Sequence, residues 1–251
     1  MTTDWQKLVI KNFDEASCKY NEGANLQICF AKRLAEQCTK KFIPPGLWVD
    51  LGSGTGLLAN ELEKRMPNQS VLRVDGSERM LNQHPKNKST KLFDLNSGLP
   101  HLEESPTLIA SSFALHWLKQ PEQKIHDWFA ALAPGGWLAL ALPVRGSFPE
   151  WHNAATQANV KCTAMEFPSH KSLINVITKT KIRFHKLETF TEEAATVSSL
   201  LKSLKIVGGH SSPLPSLRVS EWRKIQKSWA ISNHKNVPQL TWLIQMLLAQ
   251  K

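Results

Sequence analysis

Asp50, Gly52, Ser53, Gly54 and Gly56 crowd into the stretch DLGSGTG, and Asp75 follows 19 residues after the last of these glycines. Glycine carries no Cβ and tolerates left-handed dihedrals, so such a loop lets a ligand lie against bare backbone. The helix that follows offers free N–H groups and the positive end of its dipole. A carboxylate placed where Asp75 falls can accept hydrogen bonds from both hydroxyls of a ribose. The chemistry indicated is the holding of a nucleoside-like ligand. The spacing is GxGxG, not the GxGxxG of dinucleotide binders. A plainer alternative stays open, in which the glycines make a tight turn and Asp75 caps a helix.

Positioning these residues requires a strand on each side of a helix. Leu47–Val49 read as a short buried strand closed by Asp50, and LLANELEKRM has helical spacing with Leu57, Leu58 and Leu62 on one face. SVLRVD, residues 70–75, is a second strand, after which Ser77 can cap a helix and Met80 offers a soft apolar surface to a flat base. Residues 90–100 supply a third strand ending at Asp94, and TLIAS, 107–111, a fourth. Then Ser112, Phe113, His116 and Trp117 stand at the carboxyl end of the sheet, where open α/β sheets hold ligands. His116 is read as a packing residue, with catalysis as the alternative. A helix over 121–133, the turn Pro134–Gly136 and a strand over 137–144 complete a regular βαβ alternation.

Together VDLGSGTG and VDGSERML resemble the S-adenosylmethionine site of the Rossmann-like class I methyltransferases. That resemblance implies the cofactor S-adenosyl-L-methionine, with S-adenosyl-L-homocysteine as product. It also implies cofactor contacts from Asp50, Gly52, Ser53, Gly54, Gly56, Asp75, Gly76, Met80, Asp94, Leu95, Ser111 and Phe113, with Asp94 near the adenine amino group.

The bulk properties narrow the setting. A chain of 251 residues has room for one large α/β domain with an appended cap. No apolar run approaches about 18 residues, and Asp4, Asp14 and Glu15 argue against a signal peptide, so a cytoplasmic protein is expected. Cys18, Cys29, Cys38 and Cys162 show neither CxxC pairing nor His at ligand spacing; they read as reduced thiols, and no metal site is expected. The net charge of +10 is uneven: residues 171–251 carry 13 Lys/Arg against four Glu, while residues 1–170 are nearly neutral. A basic third favours an acidic partner, or serves solubility alone.

Residues 4–38 look helical with a break near Asn21–Gly23, and Tyr20 is the only tyrosine. Beyond residue 144 the alternation loosens. Helices are expected from Pro149, over HKSLINVITKT, over 193–207 and over SEWRKIQKSWA, with strands at about 181–190 and 240–249. Pairing of those two strands would finish a seven-stranded, mostly parallel sheet. The expected organisation is a helical lid over 1–40, a methyltransferase core of 41–190 and 236–251, and a helical insertion over 191–235. The lid and the insertion would form a cap on the substrate side.

Several blocks resemble the malonyl-acyl-carrier-protein O-methyltransferases of biotin synthesis. They are IKNFDEASCKYNEGANLQ (10–27), RGSFPEWH (145–152), SLLKSLKIVGGH (199–210) and the strand start Leu240-Thr241-Trp242. Two departures stand out: Ile-Val-Gly-Gly in the third block and Trp242 in place of the family's usual tyrosine. The resemblance implies methylation of the free carboxylate of a malonyl thioester carried by an acidic acyl-carrier protein or by coenzyme A. Such a carboxylate is ionised at neutral pH and needs no general base. Arg145, Lys202, Lys205 and His210 are the candidates to hold it, with Tyr20 closing the pocket. Arg218, Arg223, Lys224 and Lys227 would dock the acidic carrier. A monomer without nucleic-acid or membrane partners is expected. The competing readings are a trans-aconitate-type small-acid O-methyltransferase, an RNA methyltransferase, and a binder of S-adenosylmethionine without turnover.

Overall fold

Every residue of strands β1 (Trp48–Leu51) and β5 (Trp137–Pro143) is buried, as expected of near-continuous apolar strands covered on both faces. The computed structural model describes residues 4–209, 214–231 and 237–251. With β2 (Val71–Asp75), β3 (Thr90–Leu92), β4 (Leu108–Ser112), β6 (Ile182–Glu193) and β7 (Gln239–Gln250) these strands form a seven-stranded sheet in the order β3-β2-β1-β4-β5-β7-β6. Only β7 runs against its neighbours, pairing antiparallel with both β5 and β6. The order reverses beside β1, between β2 and β4, which puts a crevice at the carboxyl end of β1.

Strand alternation divides the core in two. Trp48, Ala139 and Ala141 face the helices α3 (Asn25–Thr39) and α4 (Leu57–Arg65), where Phe30, Leu34 and Leu62 are fully buried. Val49, Leu51, Leu138 and Leu140 face the other way, against Ile125 and Trp128 of helix α6 (Pro121–Ala131).

The remaining helices lie at the N-terminus and in the connections between strands. Helix α1 (Asp4–Ala16) and the single turn α2 (Tyr20–Gly23) precede α3, and α5 (Glu78–Leu81) follows β2. Helices α7 (Pro149–Gln157) and α8 (His170–Asn175) lie between β5 and β6, while α9 (Val197–Ile206) and α10 (Val219–Ser228) lie between β6 and β7. The first helical break falls at Ser17–Lys19, earlier than the Asn21–Gly23 expected, because the Ser17 hydroxyl folds back onto Asp14 O at 2.8 Å and ends α1 there. Helix α9 starts at Val197 rather than near 193: β6 stays paired with β7 as far as Glu193, and Thr196 caps the helix by accepting from Ser199 N at 3.1 Å. Among the described residues no helix is long and apolar enough to cross a membrane, and all four cysteines are free thiols.

Candidate active site

The glycine loop leaves β1 and crosses the crevice with φ of +74° at Gly52, +52° at Gly54 and +88° at Gly56. Gly52 N and Ser53 N both donate to Val74 O, at 2.8 and 3.0 Å, which pins the loop to the end of β2. At Gly54 an added Cβ would meet nothing within 4 Å, so this residue shows its bare face to open space. Gly56 is different: a Cβ there would come within 2.5 Å of the His84 ring, so it is packed from behind and stays out of the cavity wall.

Asp75 ends β2 between the loop and α5. Its Oδ2 accepts from Gly54 N at 2.7 Å and its Oδ1 from Ser77 N at 2.8 Å. Burial raises its pKa in spite of these hydrogen bonds. Asp50 lies behind the loop, 1% exposed, with Oδ2 accepting from Ala59 N at 3.1 Å and Oδ1 unpartnered within the protein. Desolvation pushes its carboxyl up to about 7, against the opposing pull of Arg73. Ser77 caps α5 by accepting from Met80 N at 3.1 Å.

These groups line one cavity of about 940 Å³, open mouth included, together with Gly76, Met80, Asp94 and Leu95. Asp94 serves double duty, since its Oδ1 also accepts from Asn96 N at 2.9 Å and caps the turn beyond β3. Three buried polar atoms on the wall have no partner within the protein: Asp50 Oδ1, Ser53 Oγ and Ser112 Oγ. Buried polar atoms are normally satisfied, so three orphans on one concave wall mark where a polar ligand belongs. Ser111 does not join them. Its hydroxyl points the other way along the strand and donates to Leu51 O at 2.7 Å, so the serine that reaches the cavity is Ser112. The period-2 alternation of β4 was the available signal. Helix α1 covers the cavity: Ser77 Oγ donates to Asp14 Oδ1, Arg79 N donates to the same oxygen at 3.3 Å, and Gln6 Nε2 donates to Asn96 Oδ1 at 3.1 Å.

A second chamber of about 780 Å³ lies on the far side of a wall made by Phe13, Tyr20, Gln27, Phe113 and Trp117, which line both spaces. Phe148, Trp151, Phe167 and Trp242 give it aromatic sides, and Leu201 and Leu204 of α9 close it from above. Two of its walls are strained, with left-handed backbone at Phe113 (φ 57°) and Phe148 (φ 62°), each held by a backbone bond to the sheet. Bulky residues occupy that region only where the surroundings enforce it, and such strain gathers at functional sites. Among the described residues lining the chamber there is no Lys, Arg, Asp or Glu. His116 sits in the wall with Phe167 at 5.5 Å and Trp117 at 4.9 Å between ring centroids. Burial drives its pKa down to about 3, so it is neutral. His116 Nδ1 and Trp151 Nε1 are buried without a partner within the protein. The Tyr20 hydroxyl, between the two spaces, is pushed above its ordinary range by desolvation and by Asp75.

The cations expected from the sequence are placed elsewhere. Lys202 and Lys205 are exposed on α9, because the spacing that turns Leu201 and Leu204 into the chamber turns the lysines out. Arg145 is exposed in a separate groove with His152 and Glu166, behind Met165 and Phe167. His210 lies outside the described residues.

Residues 49–140 match the family described as Methyltransferase domain. The fold is that of a methyltransferase-like structure from Bacillus halodurans, with a TM-score of 0.59 and 14% identity over 87% of this chain and 98% of that one. Residues 49–140 thus carry a match to a methyltransferase domain, and the seven-stranded sheet around them has the class I methyltransferase fold. Within that class, the malonyl-[acyl-carrier protein] O-methyltransferase of Alcanivorax borkumensis is 25% identical over 97% of this chain and 86% of its own length. The trans-aconitate 2-methyltransferase of Variovorax paradoxus is 39% identical over 38% of each chain. The chain spans 35% and 38% of the length of the first two curated relatives it matches. The cavity fits S-adenosylmethionine, the donor the class I fold implies: a glycine cradle, an acidic strand end and three orphaned polar atoms face one space.

Proposed function

We propose that the protein methylates the one free carboxylate of a malonyl thioester, at an early step of biotin synthesis, with the glycine-loop cavity as donor site and the aromatic chamber as acceptor site. The bare face of Gly54 and the orphaned Ser53 and Ser112 hydroxyls would hold the methionine part of the donor. Asp75 keeps lone pairs free for the sugar hydroxyls, and Met80, Asp94 and Leu95 surround the base. Bound S-adenosylmethionine supplies a methyl group on a positively charged sulfur that is already a good leaving group.

The observation that carries the acceptor assignment is the absence of charge and of any competent base among the described residues around the chamber. His116 holds its proton too weakly, and Tyr20 too strongly, to deprotonate an amine or a hydroxyl near neutral pH. The acceptor must therefore arrive already ionised, as a carboxylate does. Its negative charge meets the positive sulfur, and both charges vanish as the methyl moves, so dry aromatic walls cost the transition state little. The unpartnered Trp151 Nε1–H, together with His116, would meet the acceptor's oxygens. The work left to the chain is alignment and exclusion of water.

The same walls disfavour a tricarboxylate. A second or third carboxylate would sit against aromatic faces with no cation to pair it, at a cost of several kcal/mol. A malonyl thioester presents one charge only. Its carrier would meet helix α10 and its N-cap, where Arg218, Arg223, Lys224 and Lys227 are all exposed and Trp222 meets Trp151 of the chamber wall edge-on, ring centroids 6.0 Å apart. An acidic acyl-carrier protein suits that face, and coenzyme A is the smaller alternative. The test offers purified protein methyl-labelled S-adenosylmethionine with malonyl-carrier protein, malonyl-coenzyme A, trans-aconitate and tRNA. Label is expected in a malonyl thioester, as a base-labile ester; label in trans-aconitate or tRNA with none in either thioester overturns the assignment.

A further inference from the structure

His84 stands outside both cavities, in the loop after α5, and nothing in the methyl-transfer scheme employs it. It is 9% exposed, and its Nε2–H donates to Gly54 O at 2.9 Å. A carbonyl can only accept, so the tautomer is fixed with the proton on Nε2 and a bare Nδ1, which is buried and unpartnered within the protein. Burial lowers the ring's pKa, which keeps it neutral in this setting.

The neighbouring peptides of the glycine loop are tied by backbone or by the lid. Gly52 N, Ser53 N and Gly56 N have backbone acceptors at 2.8, 3.0 and 2.8 Å, and the Thr55 hydroxyl donates to Asn21 Oδ1 at 2.7 Å. At Gly54, side chains hold both polar groups: its N–H goes to Asp75 at 2.7 Å and its carbonyl receives His84. The ring also fills the space behind Gly56, where even a methyl group would not fit. Gly54 is the residue that bares its face to the donor cavity, so its orientation decides whether the cradle is formed.

We infer that His84 is a positioning residue for the donor: it fixes the Gly54 peptide from behind so that Asp75 can hold the loop from one side and still offer lone pairs to the donor's sugar. The inference rests on the donor reading of the glycine-loop cavity and is independent of the acceptor. An amide can replace the ring's N–H, whereas a phenyl ring keeps the packing and loses the donor, so His84→Gln and His84→Phe separate the two roles.

Wild type, H84F and H84Q are titrated with S-adenosylmethionine and S-adenosylhomocysteine by calorimetry, with Tm measured alongside. H84F should keep its Tm and bind both ligands about tenfold more weakly, as expected for loss of one well-placed hydrogen bond. Its KM for the donor should rise in step, with kcat at saturating donor and the acceptor KM within about twofold of wild type. H84Q should recover most of the loss. Wild-type affinity in H84F, or equal weakness in H84F and H84Q, overturns the inference while leaving the donor site intact. A wild-type protein that takes up no donor overturns the donor reading itself.

Discussion

The two spaces share a wall yet are furnished in opposite ways. On the donor side stand backbone amides, three carboxylates and orphaned hydroxyls. On the acceptor side stand aromatic rings and two neutral nitrogens. The proposed donor is a large cationic nucleoside that would be recognised at many points, which suits a cavity rich in polar groups. Under the proposed function the acceptor would need recognition at one charge only, and the sulfonium rather than the described residues of the chamber would answer it. A cation in the chamber would hold the carboxylate more tightly in the ground state and repel the positively charged sulfur beside it. The chamber's neutrality therefore favours the transition state over the ground state.

Asp75→Ala strikes the donor side hardest. It removes the acceptor of two charge-assisted hydrogen bonds from the sugar and releases Gly54, so donor affinity should fall on the order of a thousandfold. Calorimetry with S-adenosylhomocysteine reads this directly. The matching change across the wall, Trp151→Ala, should leave that affinity within about twofold while lowering kcat/KM for the malonyl thioester. If both substitutions weaken the donor equally, the two spaces are one site and the division between them fails.

Asp50 is the donor-side group whose titration burial brings to about pH 7. Its carboxyl, near 3.8 when unfolded, is held at about 7 by burial. The folded state therefore keeps a proton that the unfolded chain releases. Stability from this group is fully present below about pH 4 and is lost as pH rises through about 7, up to about 4 kcal/mol in all. The donor-free protein should show a lower Tm at pH 8 than at pH 5, and Asp50→Asn should flatten that slope. Donor binding has the opposite sign, because a cationic ligand favours the ionised carboxylate, so wild-type affinity should strengthen as pH rises through about 7. A pH-independent affinity in wild type would remove Asp50 from the donor's charge balance.

The donor side was largely legible in the sequence because it is built from contiguous chain. A strand, a glycine loop and an acidic strand end lie between Trp48 and Asp75, and each side chain's direction follows from period-2 alternation. Ser111 in place of Ser112 is a one-residue error in that alternation, Gly56 turns its back to the cavity because the His84 ring packs behind it, and His84 was missed because its partner is a backbone carbonyl 30 residues away. The acceptor side is assembled from α1–α3, the end of β4, α7, the segment before α8, α9 and β7. No local pattern announces such a chamber. The expectation that a carboxylate substrate needs a nearby Arg or Lys pointed to Arg145 and Lys202, and the helix periodicity that faces Leu201 and Leu204 inward was the evidence against it.

A charge placed in the chamber tests its neutrality. Met165, half-buried between the chamber and the Arg145 groove, tolerates a long side chain there. Met165→Lys should lower kcat/KM for the malonyl thioester by about a hundredfold, because the cation binds the carboxylate away from the methyl and opposes the sulfonium. It should raise the turnover of trans-aconitate from its own baseline. A variant that methylates the malonyl thioester at the wild-type rate would show that the chamber's lack of charge is incidental.

The smallest effect is expected where the proposed carrier would meet the surface. Arg223 and Lys224 are exposed on α10, and their charges act through water at the rim of a recognition surface. Rim charges of this kind change association rates and contribute about 1 kcal/mol or less each. The double substitution Arg223→Glu, Lys224→Glu should raise KM for malonyl-carrier protein about tenfold at low salt, with kcat unchanged. The difference from wild type should shrink towards nothing near 0.5 M salt, where the screening length falls to a few ångströms. Malonyl-coenzyme A, which carries no acidic helix, supplies the control: its KM should move far less. Equal losses for both thioesters would place these two side chains at the chamber's mouth and leave the carrier to dock elsewhere.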